Sequence, residues 1–202
     1  LGKNIGSISI DGKFDDCQTL VKQAFSDPDL NYLNLSSANS INIGRLIPQI
    51  VYYFYSFVKL RKGTPDDMVI ISIPSGNFGN MMGGLIAKKM GLPVRKFIIA
   101  TNENDEFPSY MKSGHYSKIE PSKNCLSNAM NIGHPSNLAR VVALYGGMMD
   151  EKGIVCKTPD MYAMRNDMYA VSIDDSDTKT TMLDAYRDHK LLLEPHGAVG
   201  WA

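Results

Sequence analysis

The residues best suited to chemistry are Ser75-Gly76-Asn77-Phe78-Gly79-Asn80, set between a β-favouring run, Met68 to Ile73, and a helical stretch. Glycines let backbone approach a ligand. A helix N-terminus adds unpaired N–H groups and the positive end of a dipole, so such a loop suits phosphate. The loop has neither the Gly-x-x-x-x-Gly-Lys pattern of nucleotide-hydrolysing loops nor the three glycines of a dinucleotide fingerprint, which sets both aside. A tight turn in which Gly76 and Gly79 merely permit close packing stays open. A second cluster, Ser36 to Arg45 (SSANSINIGR), is dense in neutral hydrogen-bonding side chains and ends in one arginine. Amide, hydroxyl and guanidinium together suit a phosphate ester. The competing reading is a helix N-cap beside a solvated Arg45. A third motif, Glu194-Pro195-His196-Gly197, either aims a carboxylate or imidazole from a strand end or simply starts the last helix.

Other polar residues carry less. His115, His134 and His189 lie in unrelated polar settings and read as surface residues, so no metal set is expected. Ser75 has no nucleophile-elbow motif or nearby histidine, which argues against a serine hydrolase. Lys88 and Lys89 read as a solvated helix face, and Phe54, Phe57 and the nearby tyrosines as core rather than a stacking platform.

The elements that must position these residues follow from pattern. Ile5 to Ile10 reads as a short strand, and Phe14, Cys17, Val21, Ala24 and Phe25 then recur at helical spacing. An aromatic helix runs to about Leu60, kinked or started near Pro48, and Lys62-Gly63-Thr64-Pro65 breaks it. Met68–Ile73, the glycine loop, a helix closed by Gly91-Leu92-Pro93 and a strand from Arg95 to Ala100 make a βαβ unit. Shorter helices follow, Pro135 to Tyr145 the most regular. A strand from Tyr169 to Ile173 and a helix capped by Asp174 or Asp175 come last. An α/β architecture is expected, with a domain boundary near residues 61 to 66.

Bulk composition narrows the partners. The chain has 202 residues, 44% apolar and 21% charged, enough for one sizeable core or two small ones. Lysine plus arginine and aspartate plus glutamate both total 21, so no global basic field draws nucleic acid or anionic lipid. No apolar run approaches the roughly 20 residues that span a bilayer, so a soluble protein with no membrane partner is expected. Cys17, Cys125 and Cys156 share no metal-type spacing, which fits a reducing cytoplasm. The start at Leu1 and the stop at Ala202 inside an apolar pattern read as cuts through a longer protein.

Taken in order, these segments resemble the threonine synthase family, in its longer form. The resemblance is carried by Asp11-Gly12 with Phe14-Asp15-Asp16-Cys17, by Ser37-Ala38-Asn39-Ser40-Ile41-Asn42 with Arg45, Gln49 and Tyr52-Tyr53, and by Pro74-Ser75-Gly76-Asn77-Phe78-Gly79. It continues through Ala100-Thr101-Asn102 with Asn104-Asp105, Leu126 to Met130, Pro135-Ser136-Asn137 with Arg140, and Glu194-Pro195-His196. It implies the tryptophan synthase β-like, fold type II architecture: parallel or mixed sheets flanked by helices in a Rossmann-like three-layer sandwich. Residues 1–63 would belong to a smaller mobile domain and 64–202 to the domain that binds pyridoxal 5'-phosphate, both truncated. The cofactor phosphate would lie on Gly76, Asn77, Phe78, Gly79 and Asn80, the substrate phosphate on Asn39, Ser40 and Arg45, with Ser75 and Glu194 near the site.

The reaction so implied makes threonine from O-phospho-L-homoserine and water, the cofactor serving as electron sink while phosphate leaves, after which water adds at the β carbon. Two departures from the family accompany it. The Schiff-base lysine lies upstream of this region, so the fragment is expected to be inactive, and the segment that meets the cofactor ring nitrogen is also missing. Gly44 and Pro48, moreover, are poor residues for a helix interior. The alternatives are a lyase that releases phosphate from the same substrate but yields 2-oxobutyrate and ammonia, and a non-catalytic module that binds a phosphate metabolite.

Overall fold

The computed structural model describes residues 2–61, 63, 67–150 and 152–202. By contacts the chain divides into two compact units, Leu1–Ser37 and Ala38–Ala202. The boundary expected at 63/64 adjoins residues 62 and 64–66, which lie outside the described residues.

In the first unit, helix α1 (Phe14–Ser26) opens with Asp15 and Asp16 at the positive end of its dipole. Asp16 also accepts a hydrogen bond from the Lys13 N–H at 2.7 Å. A 3₁₀ turn, Pro28–Leu33, follows; Pro28 sits where no N–H is needed, and Asp27 accepts from the Asp29 N–H at 2.9 Å. The strand expected over Ile5 to Ile10 is absent: these residues have no regular structure, and Ile8 is 88% exposed. Alternation specifies a strand only where a neighbour completes its ladder, and among the described residues none pairs here.

The second unit runs α2 (Ile47–Leu60), β1 (Val69–Pro74), α3 (Gly79–Lys89), β2 (Val94–Thr101), α4 (Glu106–Ser113), α5 (Leu138–Leu144), β3 (Met148–Met149), β4 (Val155–Lys157), α6 (Met161–Asp167), β5 (Met168–Ser172), α7 (Asp175–His189) and α8 (Pro195–Trp201). Strands β1, β2 and β5 form a parallel sheet in the order β1-β2-β5, with Ile71 opposite Phe97 and Phe97 opposite Met168. β3 and β4 make a separate antiparallel pair. Period-two alternation divides the sheet between two cores. Ile73, Phe97, Ile99 and Met168 join Met81, Leu85, Phe107 and Leu138 in the larger core. Ala100, Val171 and Ile173 meet Met130 and Val199 of α8 in the smaller. Helices on both faces of a parallel sheet give the expected three-layer α/β sandwich.

Local signals set most boundaries. Pro48 falls in the first turn of α2, so the helix starts there and is not kinked, and Gly44 lies in a separate 3₁₀ turn, Ile43–Arg45. Asp174 caps α7 by accepting from the Asp177 N–H at 2.8 Å. Four expectations change. The helix expected over Pro135–Tyr145 begins only at Leu138. Lys88 is not solvated; it pairs with Asp167 at 2.7 Å, both side chains largely covered. His134 is half-buried and hydrogen-bonds the Tyr116 hydroxyl at 2.6 Å. Of the tyrosines on α2, Tyr53 is core at 6% exposure, whereas Tyr52 and Tyr55 face outward. No helix among the described residues is long and apolar enough to cross a membrane.

Candidate functional site

The loop from β1 to α3 leaves the C-terminal end of a parallel strand, where open α/β sheets place their ligands. Ser75 anchors it: its N–H donates to the Ala100 carbonyl at 2.8 Å and its hydroxyl to the Ile73 carbonyl at 3.1 Å. That hydroxyl is buried, with its proton directed to the strand. Phe78 then turns the chain with φ 61° and ψ 15°, a left-handed conformation that costs a side-chain-bearing residue about 1–2 kcal/mol. Its ring offsets that cost: it is 2% exposed and packs edge-on against Phe107 at 4.9 Å. Among the described residues no side chain caps α3, so its first-turn N–H groups, from Gly79 to Met81, are uncapped donors.

Gly76 and Gly79 have different reasons to be glycine. A Cβ on Gly76 would stand 3.0 Å from the Met130 Cα and 3.1 Å from the Ala129 carbonyl, backbone atoms that cannot swing away. On Gly79 it would reach the Ser40 Cβ and Leu46 Cδ2 at 3.4 Å, ordinary contact. Asn80 is exposed and oriented from behind: the Tyr53 hydroxyl donates to its carbonyl at 2.9 Å and to its Oδ1 at 2.7 Å, leaving the amide NH₂ facing away. Burial raises the Tyr53 pKa far above its ordinary value and keeps that hydroxyl a donor.

The segment from Asn39 to Arg45 is two successive turns. Asn39 Oδ1 accepts from the Ile41 N–H and Asn42 Oδ1 from the Gly44 N–H, both at 2.9 Å. Arg45 is exposed, one of its N–H groups donating to the Ala38 carbonyl at 2.8 Å. Gln49 Nε2 holds the Arg45 carbonyl at 2.7 Å. Ser40 is the join: its Oγ accepts from Asn77 Nδ2 at 3.1 Å. The structure therefore brings Ser40 beside Asn77 and Gly79, while Asn39 and Arg45 lie on the same pair of turns without a contact to the loop of their own.

Glu194 is placed differently. It caps α8, accepting from the N–H groups of Gly197 at 2.5 Å and His196 at 2.9 Å, and also meets His196 Nδ1. Partial burial raises its pKa, but the hydrogen bonds from the His196 ring and the two backbone N–H groups outweigh this and hold the carboxyl below its ordinary value. The bland reading of this motif, a helix start, is the one the geometry realises. His196 Nε2 in turn accepts from the Ala129 N–H at 3.0 Å, tying α8 to the loop that packs over Gly76.

The bonds that hold Asn77 were not foreseen, and Asn137, Arg140 and Asn102 had no assigned role from sequence. Asn77 is gripped from three sides: its Oδ1 accepts from the Ser136 N–H at 2.6 Å and its carbonyl from Asn137 Nδ2 at 2.8 Å, besides the bond to Ser40. Arg140 donates to the carbonyls of Ser40 (3.1 Å) and Ile41 (2.6 Å) and to Asn137 Oδ1 (2.5 Å). At the C-terminal end of β2, Asn102 joins Ser127, Asn131 and Asn104 in a largely buried amide network that braces the loop from residue 123 to 131. Asparagine density just past β1 and β2 is the sequence signal that marks Asn77, Asn102 and Asn104, whereas no local signal marks the convergence of Asn137 and Arg140 on Asn77 and Ser40.

An uncapped helix N-terminus at the C-terminal edge of a parallel sheet, with the Ser40 side chain beside it, offers donors of the type that suit an anion. The chain belongs to the pyridoxal-phosphate dependent enzyme family, whose profile matches residues 1–202. Within it, the chain is similar to threonine synthase of Haemophilus influenzae, 42% identical over 207 residues that cover 100% of this chain and 44% of that protein. Among solved structures it is similar to threonine synthase from Escherichia coli, with TM-score 0.83 and 39% identity over 100% of this chain and 44% of that one. It also resembles the PLP-bound threonine synthase from Brucella melitensis, with TM-score 0.80 and 36% identity over 95% and 44% of the two chains. The chain thus spans less than half the length of the relatives it matches.

Proposed function

We propose that a full-length enzyme containing this chain converts O-phospho-L-homoserine and water to L-threonine and phosphate. The observation that carries this reading is the adjacency of two donor sets of phosphate type. The reaction handles two phosphates at once, one on the cofactor and one on the substrate. Here the N-terminus of α3 lies in van der Waals reach of Ser40, on the same pair of turns that carries Arg45. Similarity to threonine synthases along the whole chain supports the same assignment.

The residues fit a cofactor phosphate on α3. Uncapped N–H groups of the first turn supply donors, and Gly76 lets the loop pack closely against the backbone of Ala129 and Met130. Asn77 contributes through its backbone, since its side chain is committed to Ser40 and Ser136. When bound, pyridoxal phosphate supplies an electron sink for carbon acids. Ser40 Oγ already accepts from Asn77, so its own proton is available to a substrate phosphate oxygen. Arg45 supplies the fork that orients the leaving phosphate and stabilises charge as its bond to carbon breaks. The lysine that holds the cofactor comes from outside these residues, so the chain alone is inactive. Amino-acid biosynthesis of this kind belongs in the cytoplasm.

The test is the full-length enzyme with pyridoxal phosphate and O-phospho-L-homoserine, assayed for inorganic phosphate and threonine together. Equal yields are expected, and phosphate released without threonine refutes the reading. In Arg45→Ala, catalytic efficiency should fall about tenfold to a hundredfold, the loss of one charge-assisted phosphate contact. A loss within about threefold would remove Arg45 from the site.

A further inference from the structure

Four residues from distant parts of the chain close a ring of hydrogen bonds. Asn77 Nδ2 donates to Ser40 Oγ, 37 positions away, at 3.1 Å. Asn137 Nδ2 donates to the Asn77 carbonyl, 60 positions away, at 2.8 Å. Arg140 donates to Asn137 Oδ1 at 2.5 Å and returns to the start through the Ser40 carbonyl, 100 positions away, at 3.1 Å. Its other terminal nitrogen holds the Ile41 carbonyl at 2.6 Å. Asn137 is fully buried and Arg140 half-buried, so water is a poor substitute for the bonds they make.

The chemistry of Arg140 is unusual for a cation in this setting. Among the described residues it has no carboxylate partner; its recorded bonds go to the two backbone carbonyls and the Asn137 amide oxygen. A planar fork is the side chain that can hold two consecutive carbonyls and an amide oxygen at once, which a single ammonium cannot reproduce. Pulling the carbonyls of Ser40 and Ile41 toward α5 fixes the peptide planes of the turn between Asn39 and Arg45. It also holds the Ser40 side chain beside Gly79, its hydroxyl on Asn77.

We infer that Arg140 is a positioning residue: it never meets the substrate but clamps the substrate-phosphate turn onto the cofactor-phosphate loop, so that both phosphate sites share one frame. This rests on the assignment of Asn39, Ser40 and Arg45 proposed above. Arg140 then acts on affinity for the phosphorylated substrate, and Asn137 and Asn77 transmit its hold to the loop before α3.

The test uses the full-length holoenzyme with three variants, Arg140→Ala, Arg140→Lys and Arg45→Ala. KM and kcat for O-phospho-L-homoserine are measured, together with the dissociation constant of inorganic phosphate and the urea midpoint. Arg140→Ala should raise KM and weaken inorganic phosphate by about tenfold or more while kcat changes less than about threefold. Loss of stability alone would lower the amount of folded enzyme without moving KM or phosphate affinity. Arg140→Lys keeps the charge and should fold; it should still raise KM several-fold, because one ammonium cannot hold both carbonyls. Full recovery in Arg140→Lys, or unchanged KM and phosphate affinity in both Arg140 variants with Arg45→Ala impaired, overturns the clamp and leaves the phosphate site standing. Unchanged values in Arg45→Ala would instead overturn the site assignment beneath it.

Discussion

Gly84→Ala is a substitution for which helix propensity and packing predict opposite signs. Gly84 lies inside α3, where alanine is intrinsically favoured by about 1 kcal/mol, so propensity alone makes the variant more stable. The structure says otherwise. A Cβ there would stand 2.8 Å from both Cε1 and Cζ of Tyr53 and 3.0 Å from Phe97 Cε1, closer than real Cβ atoms settle. Tyr53 has little freedom to give way. Its ring sits edge-on to Phe97 at 6.1 Å, and its hydroxyl is tied to Asn80 on the next helix. Overpacking of this kind costs about 1–3 kcal/mol, and displacing the ring gives up a hydrogen bond worth about 1 kcal/mol more. Set against the propensity gain, a net loss of about 1–3 kcal/mol is expected. Urea unfolding of the full-length protein measures it: the midpoint should drop while the m-value holds. Pairing the change with Tyr53→Leu, which removes the two ring carbons, should cost less than the sum of the single variants. An unchanged or raised midpoint in Gly84→Ala refutes the packing argument.

Two further outcomes are expected. Gly133→Ala places a Cβ 1.8 Å from the Ile119 carbonyl, which no rotamer relieves, so the bond from the Ile119 N–H to the Gly133 carbonyl at 3.0 Å must break; urea unfolding should show a loss of about 3 kcal/mol or more. Because the folded-state pKa of Glu194 is depressed, its contribution to stability is present above the unfolded value and is lost as pH falls through the folded one. The gap in urea midpoint between wild type and Glu194→Gln should therefore be constant above about pH 6 and close as the solution is taken below about pH 4; a gap that widens on acidification would show the sign to be wrong. With the Glu194 side chain 62% exposed, solvent screening keeps that gap small.

The parts of this structure that the sequence announced are those set by near neighbours. A β-branched run, two glycines three apart and a Gly-Leu-Pro stop located β1, the loop and α3 within a residue or two, because each is a local backbone constraint. What stayed hidden depends on partners far along the chain. Nothing in the vicinity of Lys88 announces Asp167, and nothing near Ser136, Asn137 or Arg140 announces that they converge on Asn77 and Ser40. Helical periodicity located α5, but the pattern of a helix's own apolar face carries no information about which distant residues its N-cap and polar face will meet. Ile5 to Ile10 erred in the opposite direction: an isoleucine-rich run suggested a strand, but no neighbouring strand accompanies it among the described residues.

The phenylalanine at the head of α3 joins two kinds of constraint that are usually inherited apart. Glycine would adopt the left-handed turn at no steric cost, yet the chain uses a side chain whose ring must be held against Phe107 for the turn to persist. The shape of the loop before α3 is thereby set by the hydrophobic interior. A substitution at Phe107, a fully buried residue with the outward look of neutral filler, would loosen the direction in which the first N–H groups of α3 point. Drift in the core and drift in the shape of this loop are then one process, and a comparison that scores interior positions for stability alone would misjudge which of them are free to vary.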